Sequence, residues 1–205
     1  MNWPNKETTW IITGFEPFGA FDFNPSPDAA RACQAALTLA GLDATSQTLP
    51  VTFDCARRWG SEHLIPNTFA VHFGLAGSRA HISLEQTARN VAGQTLDNDG
   101  VVASQDGALV TQGPAQLKTA LELERMCEAL EEVCRREELP EARITQDAGS
   151  YVCNAIYYHS LMNAAEHGGA LFVHIPQSST EQASAIGRAI AAALLSVLTP
   201  SPRQR

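Results

Sequence analysis

Apolar positions along this chain keep two rhythms, one of period two and one of helical period, and the switches between them mark out its elements. Thr8–Thr13 is a β-rich run closed by Gly14 and predicts a buried first strand. Ser26-Pro27-Asp28 then reads as a helix start, with a hydroxyl N-cap, proline at N1 and an acid in the first turn, and that helix is expected to run to Leu39 or Ala40. Thr45–Leu49 predicts a strand, Asp54–Leu64 a helix, and Phe69–Phe73 a third strand closed by Gly74. Ile82–Glu85 alternates and predicts a short strand that presents Glu85. A long helix is expected over Ala115–Glu138, with Leu117, Leu121, Met126, Leu130 and Val133 on one face and Pro140 as its stop. Ala142–Thr145 reads as a strand, followed by Cys153, Ile156, Tyr157, Ser160, Leu161 and Ala164 at helical spacing. Gly168-Gly169 leads into a buried strand, Ala170–Pro176, which carries His174 near its end. Ser178–Glu181 resembles a capping box for a last helix over Thr180–Leu198. Residues 89–112 show no clear period, and the tail at 199–205 is expected to be disordered.

Strands alternating with helices predict an α/β fold, a three-layer α/β/α sandwich around a mostly parallel sheet. No repeat or linker divides the 205 residues, so one domain is expected. Hydrophobic content of 44% with 18% charged residues is that of a soluble globular protein. A formal net charge of −8 leaves no basic surface for nucleic acid or an anionic membrane. The opening Met1–Glu7 is polar and lacks the apolar core of a signal peptide, and the apolar stretch near Ala189–Leu198 is too short to span a bilayer. The five cysteines (33, 55, 127, 134 and 153) are an odd number without zinc spacing, which points to reduced cytoplasm and no metal. Gly74–Arg79 lacks both the phosphate-loop lysine and the dinucleotide glycine spacing, so it does not read as a phosphate loop. His72, inside an apolar run, reads as a satisfied core histidine.

The chemistry gathers around Asp147–Asn154, a turn that places Cys153 at the head of a helix. A thiol in the first helical turn meets the positive end of the helix dipole and unpaired N–H groups, both of which favour thiolate. Read alone, Cys153 is more often a small buried apolar residue than a nucleophile. Ligands of open α/β sheets bind beyond the carboxyl ends of the strands. That rule collects four segments: the loop Gly14–Pro25 with Phe15 and Phe18, then Glu85, Cys153 and His174. A thiol, a base and an orienting acid are the set used for acyl transfer. Cys153 would attack an amide carbonyl, His174 would take and return its proton, and Glu85 would steady the imidazole. The phenylalanine loop is either a plug for the core or the wall of an apolar pocket.

Thr13–Gly19 with Asn24-Pro25-Ser26, Gly74–Ser78 with Leu84-Glu85, Ala148–Asn154, and Phe172–Pro176 together resemble pyroglutamyl peptidase I, in that family's order of Glu, Cys and His. The resemblance spans roughly Trp10 to Leu198. It implies a cysteine peptidase, without metal or cofactor, that removes an N-terminal pyroglutamyl residue from peptides. It also implies that Phe15 and Phe18 hold the lactam ring and that Tyr151 and Val152 help to shape the pocket. The chain departs from the common bacterial pattern at Leu75, where that pattern has glutamine, and near Gln94-Thr95, where it has an arginine that assists the oxyanion. Leu96-Asp97-Asn98 and Gln146–Gly149 look closer to the animal-type branch. Relatives include homotetramers and monomers, so a homo-oligomer stays open. Two alternatives stand beside this reading: a non-catalytic homologue that binds blocked N-termini, and a thiol amidohydrolase for another small acyl group.

Overall fold

The computed structural model describes residues 7–198, with the backbone alone at 165–167; the expectations for Met1–Lys6 and for the 199–205 tail lie outside these residues. Six strands form the main sheet: β1 (Thr9–Phe15), β2 (Ala44–Leu49), β3 (Thr68–Leu75), β4 (Ile82–Glu85), β7 (Ala142–Thr145) and β8 (Gly168–Ile175). Their order is β2-β1-β3-β8-β4-β7. Between them run α1 (Ser26–Leu39), α2 (Phe53–His63), α3 (Leu123–Arg136), α4 (Val152–His167) and, after β8, α5 (Thr180–Leu198).

The strands' period-two pattern sorts the helices into two layers. Trp10, Ile12, Val71, Phe73, Ile82, Leu84, Leu171 and Val173 face one side and pack with α1, α3 and α5. Phe15, Ala70, Ala170 and Phe172 face the other and pack with α2 and α4. The three-layer α/β sandwich expected from the sequence is therefore the architecture found.

Four of the five strand pairings are parallel; β8 and β4 are antiparallel. The reason is local. Only residues 76–81 separate β3 from β4, and a parallel return needs a crossover of about a dozen residues or more. The chain instead turns back at the end where β3 finishes. This corrects the carboxyl-end argument, because β4 and β7 run against β1, β3 and β8.

Other expectations shift at their edges. The helix expected over 115–138 starts only at Leu123. Before it, β6 (Gln116–Lys118) pairs antiparallel with β5 (Thr87–Arg89). Leu117 and Leu121 imitate helical spacing, but Thr119 bonds instead to the backbone of Gln86 and Ala170. Ser26 is the first helical residue rather than the cap, and its hydroxyl accepts the Phe15 N–H at 2.9 Å. At α5 the capping hydroxyl is Ser179, which accepts from the Gln182 N–H, while Ser178 bonds to the Pro176 carbonyl. Gly168-Gly169 lies inside β8. α5 runs for 19 residues, long and apolar enough by composition alone to cross a membrane, but half of it is buried. Its apolar face packs on α1 and α3 as a core helix.

Residues 89–112 contain no regular element after β5, yet side chains pin them. Asp97, 8% exposed, accepts the Phe53 N–H at 2.8 Å, at the start of α2, and the N–H groups of Asp99 and Val101. Asn98 donates to the Pro17 carbonyl and so ties this stretch to the phenylalanine loop.

Candidate active site

The site lies on the α2/α4 face of the sheet, around the β3–β8–β4 strands. His174 and Glu85 reach it from adjacent antiparallel strands, with Ser83 opposite His174 and Glu85 opposite Phe172. Cross-strand partners share a face, so the imidazole and carboxylate stand on the same side of the sheet. His174 Nδ1 is 2.8 Å from Glu85 Oε1. The same oxygen accepts from Arg79 at 2.6 Å, and Oε2 accepts from the Thr145 hydroxyl at 2.6 Å. Glu85 is 0% exposed. Burial works to raise its pKa, but His174, Thr145 and Arg79 outweigh it and hold the carboxyl below its usual value.

Cys153 occupies the first turn of α4. A Cβ placed on Gly74 would stand 3.1 Å from its sulfur and 2.7 Å from the Phe172 ring. Gly74 is the register partner of His174. The thiol thus sits over the end of β3, on the face that carries the imidazole. The Asp147–Asn154 turn is anchored from several sides. The Asp147 carboxylate accepts from Arg89 at 2.7 Å and from the Gly149 N–H at 2.8 Å, and Gly149 takes φ +88°, a conformation open to glycine. Asn154 bonds to both the N–H and the carbonyl of Arg89.

The surroundings of the thiol pull its pKa in opposite directions. Burial, reinforced by the negative charge of Glu85, pushes the Cys153 pKa up to about 12, against the lowering effect of its own backbone N–H and of Arg79. Desolvation opposes the helix terminus, so forming the thiolate calls for a base nearby.

Phe15, Phe18, Asn24, Val51, Leu75, Tyr151, Val152 and Cys153 line a small slot that opens to solvent. Phe15 is buried against Phe172, so it serves as core plug and slot wall at once. Phe18 packs on Tyr151, whose hydroxyl donates to the Leu96 carbonyl. Asn24 is the one amide side chain lining the slot, and it is engaged internally, with the Glu16 carbonyl and the Ser26 N–H. The structure thus brings Phe15, Phe18, Tyr151, Val152 and Cys153 to one slot, with Glu85 and His174 paired on the adjoining strands. Arg79, Thr145 and Val51 were not picked out from the sequence as site residues, and Asn24 only as part of a matched motif. Each is a lone residue in a turn or at a strand end, and no spacing there signals a role. His72 is a core histidine, bonded to Thr13 and Ser160. No cluster of three or more potential metal ligands occurs among the described residues.

An α/β sandwich with a cysteine at a helix head, a histidine–carboxylate pair on its central strands and an apolar slot alongside has the make-up of a cysteine peptidase. Known proteins narrow that class. The pyroglutamyl peptidase family model matches residues 9–194. The pyrrolidone-carboxylate peptidase of Thermococcus onnurineus is 32% identical over 177 residues, covering 81% of this chain and 82% of that protein. Among solved structures, pyroglutamyl peptidase I from Bacillus amyloliquefaciens superposes with a TM-score of 0.73 at 25% identity, covering 91% of this chain and 95% of that one. A mutant pyrrolidone carboxyl peptidase from Pyrococcus furiosus gives 0.75 at 25% identity, covering 94% and 100%. The chain belongs to the pyroglutamyl peptidase family, and it is a peptide-bond hydrolase.

Proposed function

We propose that this protein, acting as a single catalytic domain in the cytoplasm, hydrolyses the amide bond after an N-terminal pyroglutamyl residue, with Cys153 as nucleophile, His174 as acid–base and Glu85 as orienting acid. The observation that carries the assignment of roles is the buried Glu85–His174 pair, 2.8 Å across, on the strand beside the one that Cys153 covers. The slot supports the substrate. Its side-chain walls are apolar and its one amide is already engaged, which suits an uncharged five-membered lactam whose polar edge is met by backbone groups. A free amino terminus would carry an unpaired charge into the same space, at a cost of several kcal/mol.

As the sulfur attacks the pyroglutamyl carbonyl, the thiol proton passes to His174. Glu85, held ionised by its partners, stabilises the imidazolium that results. The N-cap of α4, Tyr151, makes no side-chain hydrogen bond to the first turn, so N–H groups there are open to a developing oxyanion. His174 then gives the proton to the leaving amine. Water, deprotonated by the same imidazole, cleaves the thioester.

The test is release of amine from a pyroglutamyl amide. Cys153→Ala and His174→Ala proteins that keep the wild-type circular dichroism should lose about a thousandfold or more in kcat. A well-folded wild type that leaves pyroglutamyl amides intact would refute the substrate assignment.

A further inference from the structure

One cation beside the site takes no part in the steps above. Arg79 stands in the loop between β3 and β4 with its side chain 25% exposed. One guanidinium nitrogen, Nη1, donates to Glu85 Oε1 at 2.6 Å and to the Ser83 hydroxyl at 2.8 Å. The other, Nη2, donates to the Asp147 carbonyl at 3.0 Å. A single planar fork therefore touches the acid and the turn that leads to Cys153.

The shared acceptor matters. Glu85 Oε1 serves both Arg79 and His174. Before the thiol gives up its proton, the imidazole is neutral, and a buried carboxylate facing it needs a counter-charge from elsewhere. Arg79 supplies one. Once the proton has moved, the imidazolium draws on the same oxygen. The other groups around Glu85 are the Thr145 hydroxyl on β7, the Tyr157 hydroxyl on α4, which donates to the Glu85 backbone carbonyl at 2.7 Å, Cys153 on α4, and His81 in the loop with Arg79.

We propose that Arg79 is a positioning residue: it keeps Glu85 ionised and aligned on His174 throughout the cycle, and it locks that acid to the Asp147–Asn154 turn. The proposal rests on the assignment of Glu85, His174 and Cys153 given above. Lysine would supply the charge without the fork.

The test measures kcat/KM, and separately the rate of Cys153 alkylation by iodoacetamide, across pH. The proteins compared are wild type, Arg79→Gln, Arg79→Lys, Glu85→Gln and the double variant Arg79→Gln/Glu85→Gln. In Arg79→Gln the acid limb of both profiles should move up by about one to three pH units, because the carboxylate loses a close cation. Its kcat should fall while KM stays near wild type. Arg79→Lys should hold the limb in place and still lose kcat severalfold, since the Asp147 link is gone. Adding Arg79→Gln to Glu85→Gln should change little, as residues that act through one another are not additive. An unmoved limb in a folded Arg79→Gln protein, or a fully additive double variant, overturns the proposal. Should Arg79→Gln not fold, wild-type kcat in Arg79→Lys overturns it. Alkylation separates the two readings: a shifted alkylation limb without pyroglutamyl turnover sinks the substrate assignment and leaves Arg79 standing.

Discussion

At Gly74 there is room for hydrogen and little else. A methyl group would press on the Phe172 ring and on the Cys153 sulfur, at 2.7 and 3.1 Å. The ring must shift within the core, and the sulfur must give by a few tenths of an ångström. Displacements of about an ångström at a reacting atom can cost about a hundredfold. Gly74→Ala should therefore lower kcat/KM by up to about tenfold and also lower the thermal unfolding midpoint, since overpacking a core costs about 1–3 kcal/mol, which steady-state kinetics and calorimetry would check. At this scale the sequence was informative where a residue sat in a distinctive local frame: Cys153 at a glycine turn before a helical period, His174 inside an apolar strand, Phe15 and Phe18 in a loop too apolar for solvent. It was silent about Arg79 and Thr145, whose partners are brought to them only by folding. It could not weigh the desolvation of Cys153, because burial is a property of the fold and the helix terminus alone is a property of the segment.

Among the elements, α1 and α5 pack tightly against each other. Gly187 of α5 lies against the Ala29 carbonyl of α1, and a Cβ there would collide with backbone that has no freedom to yield. Gly187→Ala should destabilise the fold by about 1–3 kcal/mol, read as a lower urea midpoint with an unchanged slope. The contact lies on the opposite face of the sheet from the site, so kcat should change less than stability does. Element identity was legible wherever apolar spacing was long and regular, as in β3, α4 and α5. Element boundaries failed where side chains, rather than period, decide. Thr119 draws the chain into β6 contacts and delays α3 to Leu123, and Ser26 spends its hydroxyl on Phe15 instead of capping α1. The 89–112 stretch was unreadable for the same cause. Asp97 shapes it through three backbone N–H groups, one of them 44 residues away in sequence.

For the molecule as a whole, buried titratable groups set the response to acid. Burial lowers the His72 pKa from 6.5 to about 3. Between those values the unfolded chain takes up a proton that the folded one refuses, so the stability present above pH 6.5 is lost as pH falls toward 3. The slope is at most about 1.4 kcal/mol per pH unit for one proton. His81 and His159 are lowered as well and act in the same direction. Glu85 adds a second step at lower pH: its carboxyl is held below 4.5, so its contribution disappears only as pH drops through that lowered value. Urea midpoints measured from pH 7 to 4.5 should decline in the wild type and decline less steeply in His72→Asn, with the difference close to one proton.

The antiparallel seam between β8 and β4 also divides the site by timescale. Glu85 and His174 are neighbours across a ladder in the interior of the sheet, so parting them requires those strands to separate, an event close to global opening and correspondingly rare. Cys153, at the head of α4, follows a turn held by side-chain hydrogen bonds rather than by a ladder, so a local opening that spares the sheet can reach it. The base and its acid are thus a fixed clock face, and the nucleophile is the hand that can move.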